Sequence, residues 1–238
     1  MRGPSSDYAA PPIYIYPDRS GPRPGVRFSR QEIFQLAVAI VALSAALTLA
    51  QYMSVRGLVA PPELRLVGLL FIGALVAVAT GVGLHEISHK IVAQRYGHWA
   101  EFRYSLRGLS LAFVFAFLGF LIGAPGATMV SGFVTPQQNG KISAAGPVSN
   151  LVIGTGFLLA AAAVVRTVST ADLVGFFTAV ILSQAFTINV ILAGFNMIPV
   201  LPFDGSKVWA WNKVVYFGIL VLAGALYVAG IFLRVGAF

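Results

Sequence analysis

Apolar and polar positions along this chain fall into long blocks rather than short periods. Five uncharged blocks are long enough to cross a hydrocarbon core, which takes about 20 helical residues. They are residues 33–55, 66–84, 143–165, 173–203 and 214–233. All are rich in Leu, Ala, Val, Ile and Gly, residues that let helices approach closely in lipid. The pattern predicts an all-α membrane protein, a polytopic bundle of five or six transmembrane helices.

A sixth uncharged block, 108–140, departs from the others. Its apolar core, 109–122, is short for an untilted span, and Ala124-Pro125-Gly126 interrupts it. Phe113, Val114, Phe115 and Phe117 favour strand as much as helix. Irregular backbone at membrane depth is tolerated where protein covers it or where it lines a cavity. The block is therefore read as a re-entrant or strand-containing segment after the second helix, with a sixth crossing as the alternative.

Residues 1–30 carry Pro4, Pro11, Pro12, Pro17, Pro22 and Pro24 among Arg, Ser, Tyr and Gly. Such a composition buries no core and is expected to be a disordered tail. Residues 31–238 then form the membrane-embedded domain. The composition agrees with this division: 58% of residues are hydrophobic, only 10% are charged, and the mean hydropathy is +0.83. A net charge of +8 would suggest nucleic acid in a soluble protein. In so apolar a chain it points instead to basic loops facing anionic lipid, and no nucleic-acid partner is expected. With the N-terminus in the cytoplasm, Arg2, Arg19, Arg23, Arg27, Arg30, Lys90, Arg95, Arg103, Arg107, Lys141, Lys207 and Lys213 fall inside. Only Arg56, Arg65, Arg166 and Arg234 then fall outside. That asymmetry is the one the positive-inside rule requires.

Ionisable groups in a bilayer cost about 2.5 to 3.5 kcal/mol each on insertion scales, so each needs a reason. Two of the three histidines and one of the eight acids form His85-Glu86-Ile87-Ser88-His89, at the end of an apolar block. Positions i and i+4 share a helix face, so both imidazoles reach one metal ion while Glu86 stands on the adjacent turn. Catalytic zinc takes three protein ligands and keeps a position open for water. The chain has no cysteine, which leaves the third histidine, His98, or a carboxylate.

Among the carboxylates, Asp204 alone follows a long apolar run, in Asn196-Met197-Ile198-Pro199-Val200-Leu201-Pro202-Phe203-Asp204-Gly205. Its two prolines break a helix and force irregular backbone there. Metal ligands must share one depth. His85 and His89 end an outside-to-inside crossing, and Asp204 returns to that same face only if block 108–140 leaves and re-enters on one side. A single crossing would put Asp204 some 30 Å away.

The pairing of His85-Glu86-x-x-His89 with Asn196-x-x-Pro199-x-x-x-x-Asp204-Gly205 resembles the site-2 protease family of intramembrane zinc metalloproteases, peptidase family M50. Ala145-Gly146-Pro147-Val148-Ser149-Asn150 is similar to that family's Gly-Pro-x-x-Asn segment. The resemblance covers a catalytic core of about residues 66–205. It implies that His85, His89 and Asp204 bind one Zn2+, that Glu86 is the catalytic base, and that Asn196 lies beside the metal. It implies further that the substrates are transmembrane segments of other proteins, cleaved from a site toward the cytoplasm in the cell membrane. The phenylalanine-rich stretch 109–120 is expected to offer a strand edge to an unwound substrate. The alternative is a membrane zinc transporter or metal-binding protein without hydrolytic activity, since intramembrane His, Glu and Asp also build ion pathways.

Overall fold

A computed structural model describes residues 25–55, 64–121, 123–167 and 172–235. Most of the expected tail, residues 1–24, lies outside the described residues. Helix α1 (Arg30–Val55) is followed by α2 (Leu64–Val78), which passes through a π-turn (Ala79–Gly83) directly into α3 (Leu84–Arg95). Then come β1 (Trp99–Tyr104), the short helix α4 (Leu106–Phe117) and β2 (Gly126–Ser131). Helices α5 (Pro136–Thr167), α6 (Leu173–Phe195), α7 (Asp204–Trp211) and α8 (Lys213–Phe232) complete the described chain. Five rods (α1, α2 with α3, α5, α6 and α8) are long and apolar enough to cross a membrane. The chain is a helical membrane protein whose described strands are confined to the segment between the second and third rods.

Small residues let the rods touch. Ala46 and Ala50 of α1 meet Ala74 of α2 and Ala112 and Ala116 of α4, while Ala144 of α5, Ala193 of α6 and Ala223 of α8 share a second cluster. Without a hydrophobic drive between helices in lipid, such close approach supplies the packing energy. Hydroxyls inside the rods bond back one turn, Ser44 Oγ to the Ile40 carbonyl at 2.7 Å and Thr48 Oγ1 to that of Ser44 at 2.9 Å. These two hydroxyls are thereby satisfied within their own helix. Large apolar side chains such as Val152, Leu159, Val221 and Phe232 point outward, as a lipid-facing surface requires.

The inserted segment corrects one expectation. Residues 109–120 do not form a strand: most of them belong to α4, which starts where the Ser105 side chain accepts a hydrogen bond from the Gly108 amide at 3.1 Å. Leu109, Ala112 and Ala116 recur at helical spacing and are buried, so burial of one face overrides the weak strand preference of Phe and Val. Twelve residues rise only about 18 Å, so α4 is not a sixth crossing. The strand lies beyond Pro125. There β2 pairs antiparallel with β1, with Phe102 opposite Thr128 and Tyr104 opposite Gly126.

One buried ion pair fastens this sheet to the helices. Lys90 and Glu32 are each 1% exposed, and Lys90 Nζ lies 2.5 Å from Glu32 Oε2. Lys90 also donates to the Ala100 carbonyl at 2.9 Å, and Glu32 Oε1 accepts the Phe102 amide at 3.0 Å. One charge pair thus joins α1, α3 and β1. Removing one partner of such a pair leaves the other charge buried and alone, which costs about 3–5 kcal/mol. Lys90→Met should therefore lower the midpoint of unfolding in detergent sharply, and adding Glu32→Gln should restore part of the loss. An unchanged midpoint for the single variant would refute this account.

Candidate metal centre

The π-turn sets the facing of the helix that carries His85 and His89. Within it the Leu84 amide bonds to the Ala79 carbonyl, an i→i+5 bond that lodges one extra residue and shifts the faces above it relative to those below. Gly81 and Gly83 allow the crowding: a Cβ at Gly81 would stand 3.0 Å from Ile188 of α6, and one at Gly83 3.0 Å from Ile40 of α1. Asn189 of α6 donates to Thr80 Oγ1 at 3.0 Å and holds the turn in place. Above it, His85 and His89 stand one turn apart on α3, their rings edge-on at 4.6 Å.

Asp204 reaches the same place by a different route. Helix α6 stops at Phe195, and the chain turns through Asn196–Phe203 before restarting as α7 with Asp204 as its first residue. The turn closes where the Gly205 amide donates to the Asn196 carbonyl at 2.7 Å. A Cβ at Gly205 would lie 2.3 Å from the Met197 backbone, so only glycine fits beside the carboxylate. Asp204 Oδ2 then sits 3.3 Å from His85 Nε2 and 3.1 Å from His89 Nε2. Burial pushes the Asp204 carboxyl up, but the neighbouring imidazoles of His89 and His85 outweigh it and hold the group well below the usual carboxylate range. The carboxylate form is the one that binds a cation.

Three features fit a single metal ion. The ligand atoms of His85, His89 and Asp204 lie within 4.8 Å of one another, and all three residues are buried. Two donors about 2.1 Å from a tetrahedral ion are roughly 3.4 Å apart, close to the separations found. The helix beside them is bare backbone: a Cβ at Gly146 of α5 would stand 2.5 Å from both Nε2 atoms and 2.6 Å from His85 Cε1, so only glycine lets α5 pack against the two imidazoles. Finally, His89 Nδ1 pairs with the Ile142 carbonyl at 2.7 Å. That bond fixes the tautomer that leaves Nε2 free to coordinate. The corresponding Nδ1 of His85 is buried with no protein partner among the described residues.

The other expected site residues are placed as follows. Glu86 follows His85 on α3, and its Oε2 accepts from the Thr128 amide and from Thr128 Oγ1, both at 2.8 Å. Asn196 Nδ2 donates to the Leu192 carbonyl at 2.9 Å, back along its own helix. It makes no described contact with the three ligands, and its link to the site is its backbone carbonyl on Gly205. His98 bonds to Gln138 at 3.2 Å and lies outside the cluster. Sequence reasoning did not single out Thr128 or the Ile142 carbonyl. Gly146 was visible only as part of a motif, and its bearing on the metal depends on helix packing.

No protein-family model matches the chain, and no solved structure matches it significantly. A protein of Methanocaldococcus jannaschii named "Putative zinc metalloprotease" is 34% identical over 205 residues, spanning 84% of this chain and 96% of that protein. On that likeness, and in keeping with the site-2 protease resemblance of its motifs, the chain belongs to the zinc-metalloprotease family of its archaeal relative.

Proposed function

We propose that this protein is an intramembrane zinc endopeptidase, cleaving peptide bonds in or beside transmembrane segments of other membrane proteins in regulated intramembrane proteolysis. The observation that carries the reading is the convergence of His85, His89 and Asp204 on one buried point, with Glu86 on the same helix turn. Zinc held there would acidify water and polarise the scissile carbonyl. Glu86 accepts the water proton and delivers it to the leaving amine. His89, tied to Ile142, presents Nε2 to the metal, and Gly146 leaves room for both imidazoles. The described ligands come from the first half of α3 and from the first residue of α7, just past the turn that follows α6. In the proposed orientation the site faces the cytoplasm of the cell membrane and admits water.

A helical substrate must unwind before its carbonyl is open to attack. The strand edge that supports this step is β2, beside Glu86, rather than the stretch 109–120. An extended substrate adding to β2 would satisfy its own backbone polar groups at membrane depth. The transport reading draws on Asn150, Ser183, Gln184 and Asn189, which carry unpaired polar atoms inside the bundle. None of them ionises, and the described clusters of potential metal ligands do not extend among them. Zinc flux into proteoliposomes would favour that alternative.

Two outcomes test the proposal. Glu86→Gln should abolish cleavage of a co-expressed transmembrane substrate while the purified protein keeps about one zinc per chain by elemental analysis; undiminished cleavage would eliminate the base. Gly146→Ala presses a methyl against both imidazoles and should reduce zinc affinity by about a hundredfold in competition with a chelating dye. Wild-type affinity in that variant would move the metal elsewhere.

A further inference from the structure

In an antiparallel ladder, opposed residues alternate between pairs that exchange hydrogen bonds and pairs whose polar groups point outward. Phe102 and Thr128 form an outward pair. They are opposite in register, yet the Phe102 amide turns away from β2 and donates to Glu32 Oε1 at 3.0 Å. Tyr104 behaves alike, donating to Gln35 Oε1 at 3.2 Å. The Thr128 amide accordingly points from the opposite long edge of β2, and there it donates to Glu86 Oε2 at 2.8 Å. The Thr128 hydroxyl reaches the same oxygen at 2.8 Å and the Glu86 carbonyl at 3.0 Å. A carboxylate oxygen is a stronger acceptor than a backbone carbonyl, so the hydroxyl donates its hydrogen bond to Glu86 Oε2. Among the described residues these are the only hydrogen bonds to the Glu86 carboxylate.

The two donors of Thr128 differ in kind. The amide belongs to the strand edge, and an extended backbone added to β2 would pair with it. The hydroxyl is outside the ladder. We propose that Thr128 is a positioning residue that couples substrate pairing to the catalytic base: an incoming backbone carbonyl takes over the Thr128 amide, while the hydroxyl alone keeps the Glu86 carboxylate in place. One residue then sets the register between the paired strand and the base. This inference rests on the protease reading above and on strand addition at β2.

The test uses the full chain, loaded with zinc, and a fluorophore–quencher peptide whose Leu/Ala transmembrane segment is interrupted by Gly-Ser. Thr128→Val removes the hydroxyl but keeps the amide and the branched shape. It should lower kcat about tenfold with KM within twofold and zinc content unchanged, and Thr128→Ser should restore kcat to within twofold of the wild type. A rise in KM at unchanged kcat, or a serine variant as slow as the valine one, would overturn the assignment. A second arm needs no catalysis. In the zinc-free full chain in detergent, Glu86→Ala should speed hydrogen exchange at the Thr128 amide at least tenfold, and the same peptide should restore protection. Exchange as slow as wild type in that variant, or no protection by the peptide, would also overturn it. A wild-type chain that leaves the peptide uncut counts against the protease reading, while the exchange arm still decides the place of Thr128.

Discussion

An ionisable side chain persists in a protein interior only with a partner, and the described buried charges of this protein all obey that rule. Glu32 and Lys90 neutralise each other, while His85 and His89 face Asp204. The second meeting imposes the stronger constraint because its members come from chain segments far apart. It requires the first half of α3, the early turns of α5 and the turn after α6 to arrive at one level. The whole stretch between α3 and α5 must therefore start and finish at the same end of the bundle. The short α4 and the two-stranded sheet are the form that detour takes.

Charge pairing and hydrogen bonding divide the labour around the site. The Glu32–Lys90 pair anchors β1 to α1 and α3, so the sheet is fixed on one side by an ion pair. On its other side the sheet is tied to α3 again, through Thr128 and Glu86. The sheet is thus held between the residue that follows the second histidine and the residue that follows the first. Few positions are free to shift without disturbing the helix that carries both imidazoles.

Much of this was legible in the residues. Uncharged length marked the five crossings, and the spacing of His85 and His89 marked their shared face. Asp204 stood out because it alone followed a long apolar run, and the demand for equal depth then fixed the detour of the middle segment. The illegible parts depend on packing. Phe113, Val114 and Phe115 have side chains suited to a strand, and only the burial of Leu109, Ala112 and Ala116 makes them helical. The π-turn leaves no periodic trace in so uniformly apolar a block. Thr128 lies far from Glu86 in sequence, in a stretch with no motif of its own, and the amide of Asn196 turns back to Leu192 instead of toward the metal ligands.

The bare backbone at Gly146 bears on how small molecules would reach this centre. Where a cavity is walled by side chains, a bulky inhibitor gains room by rotating them. Here the wall behind the two nitrogens is the spine of a long helix, and making room would mean displacing the helix itself. A metal-chelating warhead would therefore have to be slim on that flank.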